Sequence, residues 1–113
     1  MKVHKIHKNY EFRIVYGKGK CFSSSLFVMY IYRNKKNVLL NRLGISVSKK
    51  IGKSVTRNKV RRRIYEAYRL NLHKLKSGYD IVFISRSKAK DKSYLEIEKS
   101  MINLFKKGMI LNE

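Results

Sequence analysis

The sequence predicts a single mixed α/β domain spanning residues 1–113, and three observations lead there. The chain has the length of one domain, and its 43% hydrophobic content is enough for a core. Residues 22–32 and 38–48 alternate at period two, and 80–86 is rich in apolar and β-branched types, which are strand patterns. Interleaved with these are segments whose apolar residues recur every three or four positions, around 9–16, 52–75 and 93–107, the pattern of amphipathic helices. No repeat, low-complexity linker or Pro/Gly hinge divides the chain.

Taken in order, residues 9–16 read as a short helix that Asn9 can cap and Gly17 can end, with Phe12, Val15 and Tyr16 on one face. In 22–32, Phe22, Leu26, Val28, Tyr30 and Tyr32 share one strand face and Phe27, Met29 and Ile31 the other. Both faces are apolar or aromatic, so one meets the core and the other is partly covered or serves as a binding platform. RNKKN at 33–37 is a polar turn or loop. Residues 38–48 hold a second strand or two, with Leu43, Ile45 and Val47 on one face and Ser46 and Ser48 on the other. A central helix starts between Gly52 and Thr56 and runs to about Leu75. Val60, Ile64, Ala67, Tyr68 and Leu75 form its apolar stripe; Asn58, Arg61, Arg62, Tyr65 and Arg69 fall on one flank, and Lys59, Arg63 and Glu66 on the other. Lys76-Ser77-Gly78 ends it, and a strand follows at 80–86. Ser93 and Glu96 have capping-box spacing and open a last helix to about Lys107, with Tyr94, Ile97, Met101, Leu104 and Phe105 inward.

Charge narrows the function. The formal net charge is +21, from 28 Lys and Arg against 7 acids, a self-repulsion that calls for a polyanionic partner. No apolar run approaches the roughly 20 residues of a spanning helix, so no membrane partner is expected. The N-terminal stretch MKVHKIHKNYEF lacks the apolar core of a signal peptide, which makes the cytoplasm the default compartment. A single cysteine, Cys21, excludes an internal disulfide and a cysteine-cluster zinc site.

The basic residues are concentrated. From Ser46 to Lys76 there are eleven Lys or Arg and one acid, Glu66. A charge run is usually a solvated helix face, but such faces mix both signs. Guanidinium forks match phosphate oxygens, and Asn58 adds an amide able to bond a base or a 2′-hydroxyl. Four of the seven acids lie from Asp91 onward, so charge is polarised along the chain. Phe12, Tyr16, Tyr30 and Tyr32 offer a stacking platform for single-stranded bases, against the commoner role of aromatics in core packing. His4, His7 and His73 lack partners for a metal site. The remaining acids, Glu11, Glu66 and Asp80, are far apart in sequence, a poor basis for the converging carboxylates of a two-metal nuclease. No Ser-His-Asp or Cys-His arrangement is suggested either.

The run GISVSKKIGKSVTRNKVRRRIYEAYR, together with KNYEFRIVYGKG, SLFVMYIY and YDIVFISR, resembles the bacterial ribonuclease P protein family over nearly the whole chain. The resemblance implies an α/β (α+β) two-layer sandwich, with a sheet of about four strands packed with helices and a left-handed strand–helix–strand crossover, against the usual rule. It implies an accessory to a catalytic RNA that, with its own bound Mg²⁺, removes the 5′ leader of precursor tRNA. The chain itself is expected to bind no cofactor, to supply no catalytic residue and to require no protein partner. The residues implied in binding the catalytic RNA and its phosphates are Lys49, Lys50, Lys53, Arg57, Asn58, Lys59, Arg61, Arg62 and Arg69. Those implied in a leader-binding cleft are Phe12, Tyr16, Val28, Tyr30, Ser46, Arg86 and Lys88. Two positions depart from the family pattern: Tyr65 stands where a basic residue is common, with Arg69 a candidate substitute, and Ser87-Lys88 follow Arg86 where a basic residue and a proline are common. Two other classes compete: a ribosomal or chaperone-like basic protein of similar fold, and a small stand-alone nuclease. A strict requirement for an added catalytic RNA separates them from the first reading.

Overall fold

In a computed structural model describing residues 2–112, the strands assemble where β-branched and aromatic side chains are densest. There are five: β1 (His4–Lys5), β2 (Lys20–Ser23), β3 (Phe27–Arg33), β4 (Arg42–Ser46) and β5 (Tyr79–Ser85). They form one sheet in the order β1-β4-β5-β3-β2. β1, β4 and β5 run parallel, and β3 is antiparallel to both β5 and β2. The four longer strands answer the expected sheet, and the two-residue β1 is an addition that the sequence is too short to signal.

Three helices accompany the sheet: α1 (Asn9–Lys18), α2 (Ser54–Asn71) and α3 (Tyr94–Lys107). α2 is the crossover between the adjacent parallel strands β4 and β5. Its apolar stripe is as the spacing requires, since Val60, Ile64, Ala67 and Tyr68 are all fully buried. A 3-10 turn, Leu72–Lys74, then leads to buried Leu75. Asn71 is also buried; its amide donates to the Ala67 carbonyl and to Glu98 of α3, tying the two helices together. α3 opens on Ser93, whose hydroxyl accepts from the Glu96 amide while Glu96 accepts from the Ser93 amide.

The two faces of the sheet divide by parity. Phe27, Met29 and Ile31 of β3 lie across from Phe83 and Ile81 of β5, and Leu43 and Ile45 of β4 continue the same face. α2 and α3 seal it, with Phe83 edge-on to both Phe27 and Phe105 at 5.9 and 5.8 Å between centroids. The opposite face carries Val28, Tyr30, Tyr32, Val82 and Ile84, and α1 is the one helix packed there, through Phe12 and buried Val15, joined by buried Ile6 of the segment before it.

Three local expectations change. Residues 22–32 are not one strand, because Ser24 turns the chain: its hydroxyl accepts from the amides of Leu26 and Phe27 at 3.3 and 3.1 Å. Phe22 therefore lies on β2 opposite Met29, on the sealed face, and Leu26 is buried in the turn. α1 begins at Asn9 without using it as a cap; Lys8 holds that place, and its amide donates to Glu11. Gly17 lies inside the helix, which continues to Lys18.

Candidate nucleic-acid interface

A groove runs between α1 and α2 over the edge of the sheet. Its narrower part, about 430 Å³, is lined by Asn9, Phe12, Arg13, Tyr16, Ile45 and Ser46. The wider part, about 730 Å³, shares Phe12 and Ile45 and is closed by Asn58, Arg61 and Arg62 of α2, with Lys5, Val55 and Tyr65 among the remaining walls. The two parts adjoin at Phe12 and Ile45. Every charged residue lining the groove is basic, so its field attracts anions along its length.

Helical spacing aligns the rings. Phe12 and Tyr16, one turn apart on α1, stand 6.3 Å from centroid to centroid, and Tyr16 meets Tyr30 of β3 edge-on at 5.1 Å. Tyr16 remains 38% exposed, enough to receive a base. Burial and the neighbouring Tyr30 push the Tyr16 hydroxyl above its ordinary pKa, so it stays a neutral donor at physiological pH. The Tyr30 hydroxyl is also raised, first by the Cys21 thiol beside it, its cross-strand neighbour. Beneath Phe12 lies Gly44, where a Cβ would come within 2.6 Å of the ring. Only glycine lets the ring lie this close to the strand.

α1 is held against the sheet by an ionic network. Arg42 of β4 forks onto Asp80 of β5, Nε to Oδ1 at 2.9 Å and Nη2 to Oδ2 at 2.8 Å, while Nη1 donates to Glu11 in the first turn of α1. Asn34 donates to the same Asp80 carboxylate at 3.0 Å. The Arg42 guanidinium beside Glu11 holds its carboxyl below the usual carboxylate range. Two acids distant in sequence therefore meet, but on an arginine. Among the described residues no group of three or more His, Cys, Asp and Glu could hold a metal ion.

The basic residues of α2 separate by role. Asn58, Arg61 and Arg62 face the groove, and Arg61 donates to the Asn58 carbonyl oxygen at 3.1 Å, so the amide orients the guanidinium. Arg57 is half-buried and donates through Nε to the Gly52 carbonyl, closing the turn into α2. Gly52 has φ +152°, a conformation that side chains rarely adopt. Arg63 is turned away, donating to the Lys92 carbonyl. Lys59 is exposed on the outer side of α2, and Arg69, also exposed, is paired with Glu66. Lys49, Lys50 and Lys53 are exposed on the connection from β4 to α2. Arg86 and Lys88, exposed after β5, follow the strand end that lies beside Ser46, and the 3-10 segments after β4 and β5 touch. Val28 is half-buried on the α1 face.

Several residues that build the groove have no signal in the basic motif: Lys5, Arg13, Gly44 and Val55 line it, and Arg42 holds α1 beside it. Strand parity offers one for Arg42 and Gly44, which share a face with Ser46. Lys5 depends on β1, for which the sequence offers none.

The family model described as Ribonuclease P matches residues 1–108. A relative from Clostridium botulinum (strain Loch Maree / Type A3), named ribonuclease P protein component, is 58% identical over 99% of this chain and 100% of its own. Among solved structures, a Staphylococcus aureus RNase P protein superimposes with a TM-score of 0.89 at 38% identity, covering 98% of this chain and 100% of that one. The RNase P protein from Thermotoga maritima gives a TM-score of 0.82 at 29% identity, covering 92% of this chain and 96% of that one.

Proposed function

The chain belongs to the ribonuclease P protein family, and from that premise we propose that it holds the single-stranded 5′ leader of precursor tRNA in the α1–α2 groove while its exposed basic residues bind the catalytic RNA of ribonuclease P. The observation that carries this reading is the groove itself, in which the Phe12 and Tyr16 rings, backed by Tyr30, adjoin Asn58, Arg61 and Arg62 and no acid lines the walls. Rings stack on bases without regard to sequence, and guanidinium groups follow the backbone. Val28 and Ser46 border the platform, and Arg86 and Lys88 extend its charge beyond the strand ends.

Lys49, Lys50, Lys53, Lys59, Arg62 and Arg69 give the catalytic RNA an exposed set of cations around α2. Arg57 contributes with the guanidinium nitrogens left free by its bond to Gly52. The bond cleavage belongs to the RNA and the Mg²⁺ it binds, which supply the metal-assisted attack of water on the phosphodiester. The protein lowers the repulsion between two RNAs and fixes the leader, which raises the affinity of the complex for Mg²⁺ by ordering phosphate ligands.

Reconstitution tests this. The chain alone should leave precursor tRNA intact, and with the catalytic RNA at low Mg²⁺ it should restore removal of the leader. Multiple-turnover cleavage by the protein alone would contradict the reading.

A further inference from the structure

The groove extends past the three rings. Beyond Phe12, its wider part is bounded by Lys5, Val55, Arg62 and Tyr65. The Lys5 ammonium lies 4.9 Å from the centroid of the Tyr65 ring, within cation–aromatic range. Lys5 is exposed and Tyr65 is half-buried, so the ring is anchored while the ammonium is free to move. Arg69, one turn further along α2, is engaged by Glu66 and does not line the groove. Lys5 is therefore the cation at Tyr65. The wider part as a whole, Phe12, Asn58 and Arg61 included, has about 730 Å³, within the roughly 300–1,000 Å³ typical of ligand sites.

We propose that Lys5 and Tyr65 form a separate nucleotide subsite at this end of the groove. It takes the next nucleotide of the same single RNA strand that lies on Phe12, Tyr16 and Tyr30, and so rests on the leader reading above. The base packs on the Tyr65 ring, and the phosphate meets Lys5 and Arg62. In the free protein the ammonium covers the ring. An exposed cation–aromatic contact is weak enough to be exchanged for a phosphate and a base. The pair thus keeps a stacking surface from lying bare until RNA arrives. Charge complementarity selects the occupant, because every charged lining residue is basic and the other walls, Asn58 and Gly44 apart, are apolar or aromatic.

The test uses the holoenzyme reconstituted from the full chain and the catalytic RNA, with a photoreactive benzoyl-phenylalanine at position 65 or at position 16. Crosslinks from position 65 should fall on a leader nucleotide adjoining those reached from position 16. Crosslinks from 65 to the catalytic RNA alone, or to neither RNA, with the leader still reached from 16, overturn the subsite and leave the leader reading standing. Failure at 16 as well overturns both. In binding titrations, Lys5→Gln and Tyr65→Leu should lower affinity for precursor tRNA by about tenfold, while Tyr65→Phe retains it and mature tRNA is unaffected. Lys5→Gln should also lower the log–log salt slope by about one. Because Lys5 is exposed, that variant tests the site without disturbing the fold. Equal weakening of both tRNA forms counts against the proposal.

Discussion

On one face of the sheet, Phe27, Met29, Ile81 and Phe83 are sealed beneath α2 and α3; on the other, Val28, Tyr30, Tyr32 and Ile84 are half-covered by α1 and the Ile6 segment before it. The same strands supply both sets, alternating residue by residue. The difference comes from what covers them. Helices of 18 and 14 residues close the first face, and a helix of 10 residues leaves the second open along one side. The attachment also differs. The closed face is held by apolar contact, whereas α1 adds to the packing of Phe12 and Val15 the Arg42–Glu11 contact, a directional device that does not require the rings to be buried. One face thus stabilises the molecule and the other stays available to a ligand.

The strongest way to break this comparison is Phe83→Ala. Phe83 is fully buried between two other rings, and its truncation should cost about 3–5 kcal/mol in denaturant unfolding. RNA affinity per folded molecule should be unchanged; a specific loss of affinity would mean the closed face is not purely structural.

Arg42→Met probes the attachment of α1. It strands Asp80, whose side chain is 4% exposed, and should cost about 3–5 kcal/mol. The mutation should also weaken leader binding, because α1 carries Phe12 and Tyr16. Acid titration gives a second readout. Glu11 has its folded pKa depressed by Arg42, so the stability it contributes is present above the ordinary carboxylate value and lost as pH falls through the lowered one. That part of the acid transition should vanish in the variant.

Tyr16→Ala acts on the open face, with little effect on unfolding since the ring is 38% exposed. Affinity for precursor tRNA should fall by about 1–3 kcal/mol and that for mature tRNA should be unaltered. Arg62→Ala should have the smallest effect at fixed salt. Its signature is a log–log salt slope reduced by about one, with an unaltered melting temperature because Arg62 is exposed.

Much of this was legible beforehand. The stripe of α2 is strongly periodic and long, so spacing alone points Val60, Ile64, Ala67 and Tyr68 inward, and the Ser93–Glu96 box marks the start of α3. The hairpin at Ser24 was not legible, because the turn is made by a hydroxyl bonding to two amides inside a stretch whose alternation reads straight through it. The groove was half legible. Phe12, Tyr16 and Tyr30 follow from helix and strand parity, but their meeting depends on α1 crossing the sheet. That crossing is set by Arg42, Asp80 and Glu11, residues drawn from three elements with no local pattern joining them.

β1 carries a consequence for the order in which the molecule forms. It is two residues long, pairs only with β4, and is followed by the Ile6 amide donating to the Leu43 carbonyl at 2.9 Å. Its partner lies more than thirty positions later in the chain, so residues synthesised early must wait for β4 before they find their hydrogen bonds. A strand this short at a sheet margin opens more easily than the interior. The wall that bears Lys5 is therefore the first part of the groove to fray, and a bound RNA spanning it would slow amide exchange at Ile6 more than at any position in β5.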